Sequence, residues 1–446
     1  MKNPYKNSFH IEPVKGLLND PNGLIQFKGK YYFFHQWNRF ETNHEYKEWG
    51  LFTSKDLVKW ENQGSAILPD VEDDKNGIYS GSSIEKDGTM YLFYTGNSKK
   101  QGKRKSYQKM AYSEDGRTFV KKKQVIETPT GYTEHHRDPK VWKKNGKWWM
   151  IVGAQTKSNV GAITLFESSD LVKWQYQGEF YSDIALDQVC ECPDVFSLSN
   201  DVDILTVCPQ KRTLIEEMDL PISSYAGYLV GKIDYQQKKF VELEKLRKLD
   251  YGFDFYAPQT FEDDKGRRIL TAWMSRMEER EEISCPTAKE GYLHCLTMPR
   301  ELKWKKGHLY QVPLKEYEVL RIDKREYRED CLLIKNQNNT YEMIINFNAS
   351  IGDFSMTLNS ERNSISYRKG RLEISRINWA TGENESREVQ LDSLYKLHIF
   401  NDSSAVEVFI NDGEYVFSMR AFSSDCNRDV YYQNLGHNGS VMFYNY

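Results

Sequence analysis

The chain has 446 residues, which is enough for two or three domains. It carries 61 Lys and Arg against 64 Asp and Glu, a formal net charge of −3. Proteins that bind nucleic acid over a broad surface need a basic excess to neutralise phosphates, so this balance argues against that class. Aromatic residues make up 14 % of the sequence, a content that suits both strand-rich folds and sugar-binding clefts.

No stretch approaches the ~18 consecutive apolar residues of a membrane span. The first residues also lack the apolar core, about 7–15 residues long, of a signal peptide. We therefore expect a cytoplasmic protein with no membrane partner. The 7 cysteines are scattered and predict no disulfide framework. Cys190 and Cys192 flank Glu191 and would point away from it on a regular strand, so we interpret them as buried packing residues. We expect neither a metal ion nor another cofactor.

One pattern recurs five times in roughly the first 275 residues: a polar turn, then a strand rich in aromatic or apolar residues. The copies are residues 28–36, 87–96, 145–154, 200–209 and 265–274. They lie about 55 to 65 residues apart, a spacing that suits one four-stranded propeller blade per copy. We therefore predict an all-β chain in which residues 1–300 form a five-bladed β-propeller.

The innermost strand of each predicted blade comes just before the polar turn. Since these strands line the central channel of a propeller, residues at equivalent points are expected to face one axis. These residues are Asp20, Ser80, Asp138, Glu191, and either Asp254 or Tyr256.

The repeat stops near residue 300. Residues 301–320 are interpreted as a linker with one or two short strands. Residues 321–446 hold eight or more short alternating strands at even spacing, which predicts a β-sandwich. Since no cluster of Asp, Glu or His stands out there, we expect a structural role for this domain.

Three of the carboxylates suit glycosidic bond hydrolysis, which needs one ionised and one protonated carboxyl group. Asp20 precedes Pro21 and Gly23, which predicts a nucleophile held by a tight turn; the alternative is an ordinary Asp-Pro turn. Asp138 follows Arg137, which is expected to keep it ionised; the alternative is a surface ion pair.

Glu191 lies between two cysteines in an otherwise apolar strand. Partial desolvation would raise its pKa, as a general acid requires; the alternative is a strand residue that faces water. The three acids fall at equivalent points of the repeat, which favours one shared site.

Seven motifs in order resemble glycoside hydrolase family 32 over essentially the whole chain. They are NDPNG (19–23), QWN (36–38), YSGS (79–82), RDPKVW (137–142), ECPD (191–194), DFYAPQTF (254–261) and MPREL (298–302). The resemblance implies a retaining β-fructofuranosidase that acts on sucrose 6-phosphate or sucrose, a small-molecule sugar substrate.

The resemblance also implies individual roles. Asp20 would be the nucleophile that forms a fructosyl-enzyme, and Glu191 the general acid and then the base. Asp138, with Arg137, would bind fructose hydroxyls and stabilise the transition state. The further candidates for substrate binding are Asn19, Gln36, His44, Trp49, Tyr79, Ser80, Tyr256 and Trp273. For the aromatic residues Trp49, Tyr256 and Trp273, strand packing is the alternative, and for His44 it is a satisfied packing residue.

Retention of the anomeric configuration predicts a distance of about 5–5.5 Å between the carboxyl groups of Asp20 and Glu191. Inversion would require about 6.5–9.5 Å. Other functions stay open at this stage. They are a fructan hydrolase of the same family, a family 43-like arabinan or xylan hydrolase, and a catalytically silent sugar-binding propeller. The basic run 99–105 is interpreted as a solvated loop, with Arg104 as a candidate contact for a phosphate. We expect a monomer or a homodimer.

Overall fold

The computed structural model describes residues 3–199, 201–211, 223–275, 277–347, 352–359, 363–423 and 427–446. It forms two compact units. The first, which we call the propeller-like unit, comprises Gly16–Leu249 and Tyr256–Trp273. The second, the sandwich unit, comprises the N-terminal segment up to Lys15, Asp250–Phe255 and the chain from Met274 onward.

Antiparallel sheets in chain order make up the described part of the propeller-like unit. The first sheet contains β1 (Gly16–Phe27), β2 (Lys30–Asn38), β3 (Glu48–Ser54) and β4 (Glu61–Ile67). The second contains β5 (Ile78–Lys86), β6 (Thr89–Lys100), β7 (Lys103–Ser113) and β8 (Val120–Glu127). The third contains β9 (Tyr132–Lys144), β10 (Lys147–Thr156), β11 (Gly161–Ser168) and β12 (Gln175–Ser182), and a 3-10 turn (Ile184–Leu186) follows. The fourth contains β13 (Val189–Ser199), β14 (Val202–Lys211), β15 (Ser223–Ser224), β16 (Gly227–Asp234) and β17 (Lys239–Lys248). A hairpin of β18 (Tyr256–Glu262) and β19 (Arg268–Trp273) completes this unit.

The sheets pack face to face in sequence order. One hydrophobic core joins the first and second sheets, a second core joins the second and third, and a third core joins the third and fourth. Strands β2 and β10 are therefore buried on both faces, which explains their nearly continuous apolar sequences. The inner strands also contact one another in turn, β1 with β5, β5 with β9, β9 with β13, β13 with β18, and β18 with β1. The sheets thus surround one axis, as predicted for a propeller.

Short hairpin turns produce the repeated sequence pattern. Lys28-Gly29, Asp87-Gly88 and Asn145-Gly146 all have positive φ at both positions, the geometry that joins two strands most tightly. The turn of the fourth copy includes residue 200, which lies outside the described residues. Gln101-Gly102 forms the same kind of turn, so the basic run 99–105 is the tip of the β6–β7 hairpin. The prediction of a loop there was wrong, because the loop is only these two residues.

The sandwich unit packs two antiparallel sheets against a shared hydrophobic core, as predicted. One sheet is formed by β23 (Asp323–Tyr327), β34 (Ser440–Asn445), β25 (Thr340–Asn346), β30 (Lys396–Asp402), β31 (Ala405–Ile410) and β32 (Tyr415–Arg420). The other is formed by β24 (Cys331–Ile334), β33 (Val430–Gln433), β26 (Phe354–Leu358), β27 (Asn363–Arg368), β28 (Arg371–Ile377) and β29 (Asn384–Gln390).

Shorter elements precede the two sheets in this unit. They are α1 (Glu279–Ser284), a 3-10 turn (Ala288–Glu290), β20 (Tyr292–Leu293), the hairpin of β21 (Arg300–Lys305) and β22 (His308–Pro313), and a 3-10 turn (Lys315–Leu320). Among the described residues no helix is both long and apolar enough to cross a membrane.

Candidate active site

Each inner strand of the propeller-like unit is interrupted by a β-bulge at the point where a site residue was predicted. The extra residues are Asn19-Asp20 in β1, Ser80 in β5, Asp138-Pro139 in β9, Cys192-Pro193 in β13 and Ala257-Pro258 in β18. A bulge redirects side chains that regular alternation would send into the packed faces. Proline fits such positions because it has no N–H to lose from the strand ladder.

The carboxylate of Asp20 is held from both sides. Its Oδ1 accepts a hydrogen bond from Asn19 Nδ2 at 3.0 Å, and its Oδ2 accepts one from Ser80 Oγ at 2.5 Å. The chain around Asp20 is a bulged strand, so the prediction of a tight turn was wrong. Gly23 is needed for another reason: its φ is +53°, and an added Cβ would lie 2.9 Å from the Phe34 ring.

Asp20 belongs to a closed ring of hydrogen-bonded side chains. Asn19 Nδ2 also donates to Gln36 Oε1 at 2.6 Å, and Gln36 Nε2 donates to Ser80 Oγ at 2.9 Å. Asn19, Gln36 and Ser80, all candidates for substrate binding, therefore meet at one carboxylate. Burial raises the pKa of Asp20, and the hydrogen bonds from Ser80 and Asn19 oppose that rise.

Lys47 is a functional candidate that the sequence reasoning missed. Its Nζ lies 2.5 Å from Asn19 Oδ1 and 3.0 Å from His44 Nδ1, and the side chain is buried. A single lysine just before a strand looks like a solvated residue in the sequence. Lys47 lies in the long connection between β2 and β3, which returns close to Asp20. This proximity is visible only in the three-dimensional structure, so the sequence could not identify Lys47.

The carboxylate of Glu191 is bound by a cation and a phenol. Arg137 donates to Glu191 Oε1 from Nη2 at 2.5 Å and from Nε at 3.0 Å. Tyr256 OH donates to Oε2 at 2.8 Å. Burial and the charge of Glu191 raise the pKa of Tyr256, so the phenol stays protonated and remains a donor.

Asp138 is buried and is bound mainly through the backbone. Its Oδ2 accepts a hydrogen bond from the N–H of Cys192 at 2.8 Å, and its own N–H donates to Thr95 Oγ1 at 3.0 Å. Burial raises the pKa of Asp138 to about 7, with Arg137 opposing and the charges of Glu191 and Asp20 adding to the rise. The expectation that Arg137 keeps Asp138 ionised was therefore wrong, because desolvation outweighs the neighbouring charge.

The thiol of Cys192 lies close to both Asp20 and Asp138. Its Sγ lies 3.9 Å from Asp20 Oδ2 and 3.6 Å from Asp138 Oδ2. The bulge after Glu191 and a φ of +46° at Cys192 turn this thiol toward the acids. Cys192 is buried, as predicted, and its thiol also contacts two of the acids. Glu191 also raises the pKa of Asp20, so all three acids act on one another.

Tyr79 stands beside this cluster. Its OH accepts a hydrogen bond from Asn97 Nδ2 at 3.2 Å, and the Arg104 guanidinium lies 5.0 Å from its ring centre. Arg104 Nε in turn donates to Asn97 Oδ1 at 3.0 Å. Tyr79 directly precedes Ser80 in β5, so this group lies next in the chain to a residue that binds Asp20.

Trp49 was predicted in the pocket wall, and the structure places it elsewhere. Its side chain is 0 % exposed and packs against Phe34 and Tyr94 in the core between the first two sheets. Its Nε1 donates to the Tyr79 carbonyl oxygen at 2.9 Å. Trp49 therefore supports Tyr79 from behind, which corresponds to the packing alternative.

Trp273 lies between two other predicted residues. Its ring meets His44 edge-on at 6.1 Å and Tyr256 edge-on at 6.4 Å between ring centres. His44 is exposed and Trp273 is half-buried, so this group forms a partly open aromatic surface beside Glu191.

Asp254 takes no part in this site. It belongs to the sandwich unit, where it forms an ion pair with Arg376 and accepts a hydrogen bond from the N–H of Arg420 at 2.7 Å. Of the two residues expected from the fifth repeat, Tyr256 reaches the acids. The bulge at Ala257-Pro258 sets the direction of Tyr256 and could not be located from the sequence.

Comparisons with known proteins show the family of this chain. Residues 10–313 match the family "Glycosyl hydrolases family 32 N-terminal domain", and residues 316–443 match "Glycosyl hydrolases family 32 C terminal". The chain belongs to glycoside hydrolase family 32 and is a glycoside hydrolase, which confirms the predicted family.

Individual relatives cover nearly the whole chain. The sucrose-6-phosphate hydrolase of Bacillus subtilis is 40 % identical over 441 residues, which cover 96 % of this chain and 91 % of that protein. That of Klebsiella pneumoniae is 39 % identical over 421 residues, 93 % of this chain and 88 % of that protein. The solved structure of sucrose-6-phosphate hydrolase from Lactobacillus gasseri superposes with a TM-score of 0.88 at 29 % identity and covers 100 % of this chain and 93 % of that one.

Proposed function

We propose that this protein is a retaining β-fructofuranosidase that hydrolyses sucrose 6-phosphate and sucrose through a fructosyl-enzyme. The observation that carries the proposal is that Asp20 and Glu191 are held in different surroundings within one acid cluster. Asp20 is fixed by neutral donors, whereas Glu191 is held by Arg137 and Tyr256. Double displacement needs such a division between a nucleophile and an acid/base.

In the first step, the Asp20 carboxylate bonds to the anomeric carbon of the fructosyl unit while the bond to the glycosidic oxygen breaks. Glu191 gives its proton to that oxygen, which leaves on the hexose. In the second step, Glu191 takes a proton from a water molecule, whose oxygen bonds to the anomeric carbon and releases Asp20. Two displacements at one carbon retain its configuration.

Asp138 and Arg137 are proposed to bind the fructose hydroxyls. Arg137 is bound to Glu191 by charge-assisted hydrogen bonds. A sugar hydroxyl that accepts from Arg137 weakens this interaction and raises the proton affinity of Glu191 as the substrate binds. The charge of Glu191 raises the pKa of both Asp20 and Asp138, so a change in the charge of one acid shifts the proton affinity of its neighbours.

For the phosphate group we propose Arg104 as a contact. Its guanidinium packs on the ring of Tyr79, the residue before Ser80 in the chain, and is oriented by a hydrogen bond to Asn97. Relatives across nearly the full length carry the name sucrose-6-phosphate hydrolase. A planar guanidinium suits a phosphate because it donates two parallel hydrogen bonds.

The experiment is a comparison of kcat/KM for sucrose 6-phosphate, sucrose and inulin. We expect the wild type to prefer sucrose 6-phosphate and Arg104→Gln to lose about tenfold or more on that substrate alone. Lys103→Gln is the control, since it removes an exposed cation from the same hairpin. Equal kcat/KM values of the wild type for sucrose and sucrose 6-phosphate would contradict the proposed phosphate contact. A higher kcat/KM for inulin would favour a fructan hydrolase of the same family.

Two of the other functions lose support. Membership in family 32 removes the ground for a family 43-like arabinan or xylan hydrolase. A catalytically silent propeller is disfavoured by the convergence of three carboxylates and their donors on one space.

We also propose that the propeller-like unit has five blades, the fifth built on the β18–β19 hairpin, because inner strands β1, β5, β9, β13 and β18 close a ring. The domain bounds 1–300, 301–320 and 321–446 stay a proposal. A cytoplasmic location is proposed because a phosphorylated sugar is retained inside cells. The oligomeric state, monomer or homodimer, stays a prediction.

A further inference from the structure

Lys47 is a buried cation that donates a hydrogen bond to Asn19, the residue before the proposed nucleophile Asp20. The side chain, 7 % exposed, places Nζ 2.5 Å from Asn19 Oδ1 and 3.0 Å from His44 Nδ1. We propose that Lys47 is a positioning residue that fixes the orientation of the Asn19 amide and, through it, keeps Asp20 aligned and ionised for attack. This inference rests on the proposed role of Asp20 as nucleophile.

The geometry requires a fixed direction for every hydrogen bond in the ring. An ammonium group can only donate, so the oxygen of the Asn19 amide must face Lys47. The Asn19 nitrogen then faces Asp20 Oδ1 and Gln36 Oε1. A reversed amide would place its oxygen against the Asp20 carboxylate, where two acceptors repel.

The donor and acceptor roles in the other hydrogen bonds of the ring follow from this one. Gln36 must accept from Asn19 through Oε1, so its nitrogen is left to donate to Ser80 Oγ. The Ser80 hydroxyl then uses its hydrogen for Asp20 Oδ2. Both carboxylate oxygens of Asp20 therefore receive donors whose polarity begins at Lys47.

The charge of Lys47 acts on Asp20 as well. Burial and the charge of Glu191 raise the pKa of Asp20, whereas Ser80, Asn19 and Lys47 lower it. A nucleophile must be ionised, so Lys47 works against the desolvation that the buried site imposes. The charged or titratable groups around Asp20 and Lys47 are Glu191, Asp138, Cys192 and His44.

Two other roles for Lys47 make different predictions. A lysine that binds the substrate phosphate directly would affect sucrose 6-phosphate and leave sucrose unchanged. A lysine with a purely structural role would lower stability without moving the pH profile of the reaction.

The test compares the wild type with Lys47→Met and Lys47→Arg on sucrose and sucrose 6-phosphate. For Lys47→Met we expect kcat to fall by about 10- to 100-fold on both substrates. The acidic limb of kcat/KM should move to higher pH, because Asp20 loses a neighbouring cation. Lys47→Arg keeps the charge and the donors, so it should restore the acidic limb.

Lys109→Met is the matched control. Lys109 is also a buried lysine of the same unit, and it forms an ion pair with Asp73 at 3.3 Å. We expect it to lower the melting temperature without moving the acidic limb. An unmoved limb in Lys47→Met, or a loss confined to sucrose 6-phosphate, would overturn the inference.

A second measurement separates this inference from the proposed function. Carbon NMR of labelled carboxyl groups, with Asp20→Asn to assign the signal, follows the titration of Asp20 without any substrate. We expect a higher pKa for Asp20 in Lys47→Met than in the wild type. If the wild type cleaves neither sugar, the proposed function fails, and the titration still decides the role of Lys47: an unchanged pKa of Asp20 rejects it.

Discussion

Arg137 is bound to Glu191, with Nη2 at 2.5 Å and Nε at 3.0 Å from the same oxygen, Oε1. The adjacent residue in the chain, Asp138, instead accepts its hydrogen bond from the backbone of Cys192. Successive side chains of a strand alternate, and the bulge at Asp138-Pro139 follows directly after Arg137. The cation therefore serves the proposed acid/base, and the buried acid beside it holds a proton up to near-neutral pH.

Removal of the nucleophile should abolish turnover. For Asp20→Asn we expect kcat to fall on the order of 10³-fold or more, because no carboxylate remains to form the fructosyl-enzyme. The amide has the same shape as the carboxylate, and its one oxygen still accepts from either Ser80 or Asn19, so the fold should persist. Steady-state kinetics on sucrose measure the loss, with circular dichroism as the control for folding. A rate within a few fold of the wild type would mean that Asp20 is not the nucleophile.

Tyr256→Phe tests the donor on the other oxygen of Glu191. A hydrogen bond to a charged group contributes about 1.5–3 kcal/mol, so we expect kcat/KM to fall by roughly tenfold or more. The control is Tyr94→Phe, which removes a phenol bound to Asp74 at 3.0 Å in the core of the same unit. That variant should lose stability and keep its kcat. If the two variants have the same activity, the bond from Tyr256 to Glu191 has no catalytic role.

Asp138→Asn should make the protein more stable at alkaline pH while it lowers activity. The pKa of Asp138 is raised to about 7 in the folded state, and its unfolded value is near 3.9. The folded state therefore binds the proton more tightly, and stability falls as the pH rises from about 4 to 7. An uncharged amide removes this cost.

Thermal unfolding at pH 4 and pH 8 measures the effect. At pH 8 we expect Asp138→Asn to have a higher melting temperature than the wild type. The corresponding gain in the free energy of unfolding is on the order of 1 kcal/mol or more, and it should shrink at pH 4. A difference in stability between Asp138→Asn and the wild type that is the same at pH 4 and pH 8 would contradict the raised pKa.

In the sandwich unit, His10 lies between two carboxylates, with Nδ1 2.9 Å from Asp402 and Nε2 3.0 Å from Glu407. Burial alone would lower the pKa of His10, but the hydrogen bonds to Asp402 and Glu407 raise it to about 9. Its stabilising effect is therefore complete below about pH 6.5 and is lost as the pH rises through 9. We expect His10→Gln to cost about 1.5–3 kcal/mol near pH 6, since it removes the cation between the two buried carboxylates, while Glu407 keeps its ion pair with Arg300.

Melting temperatures between pH 6 and 10 test this prediction, and the gap between His10→Gln and the wild type should narrow above pH 9. His136→Gln serves as the control, because burial lowers the pKa of His136 to about 3 and this ring stays neutral over the whole range. A gap for His10→Gln that is constant with pH would show that His10 is not charged.

The repeat in the sequence predicted the all-β architecture and the meeting of Asp20, Asp138 and Glu191, because equivalent points of a repeat occupy equivalent places. It did not predict the partner of Arg137, since adjacency in sequence says nothing about direction once a bulge breaks the alternation. Trp49 could not be assigned because an aromatic residue suits both a core and a cleft. Lys47 was missed because its role depends on a connection between strands that returns to Asp20.

The stereochemistry of the first product tests the central claim most directly. Carbon NMR with fructose labelled at its anomeric carbon, recorded before mutarotation, identifies the anomer that leaves the enzyme. Double displacement through Asp20 predicts β-fructofuranose as the first product, the configuration present in sucrose. If the α-anomer appears first, a single displacement has occurred, and Asp20 cannot be a covalent nucleophile.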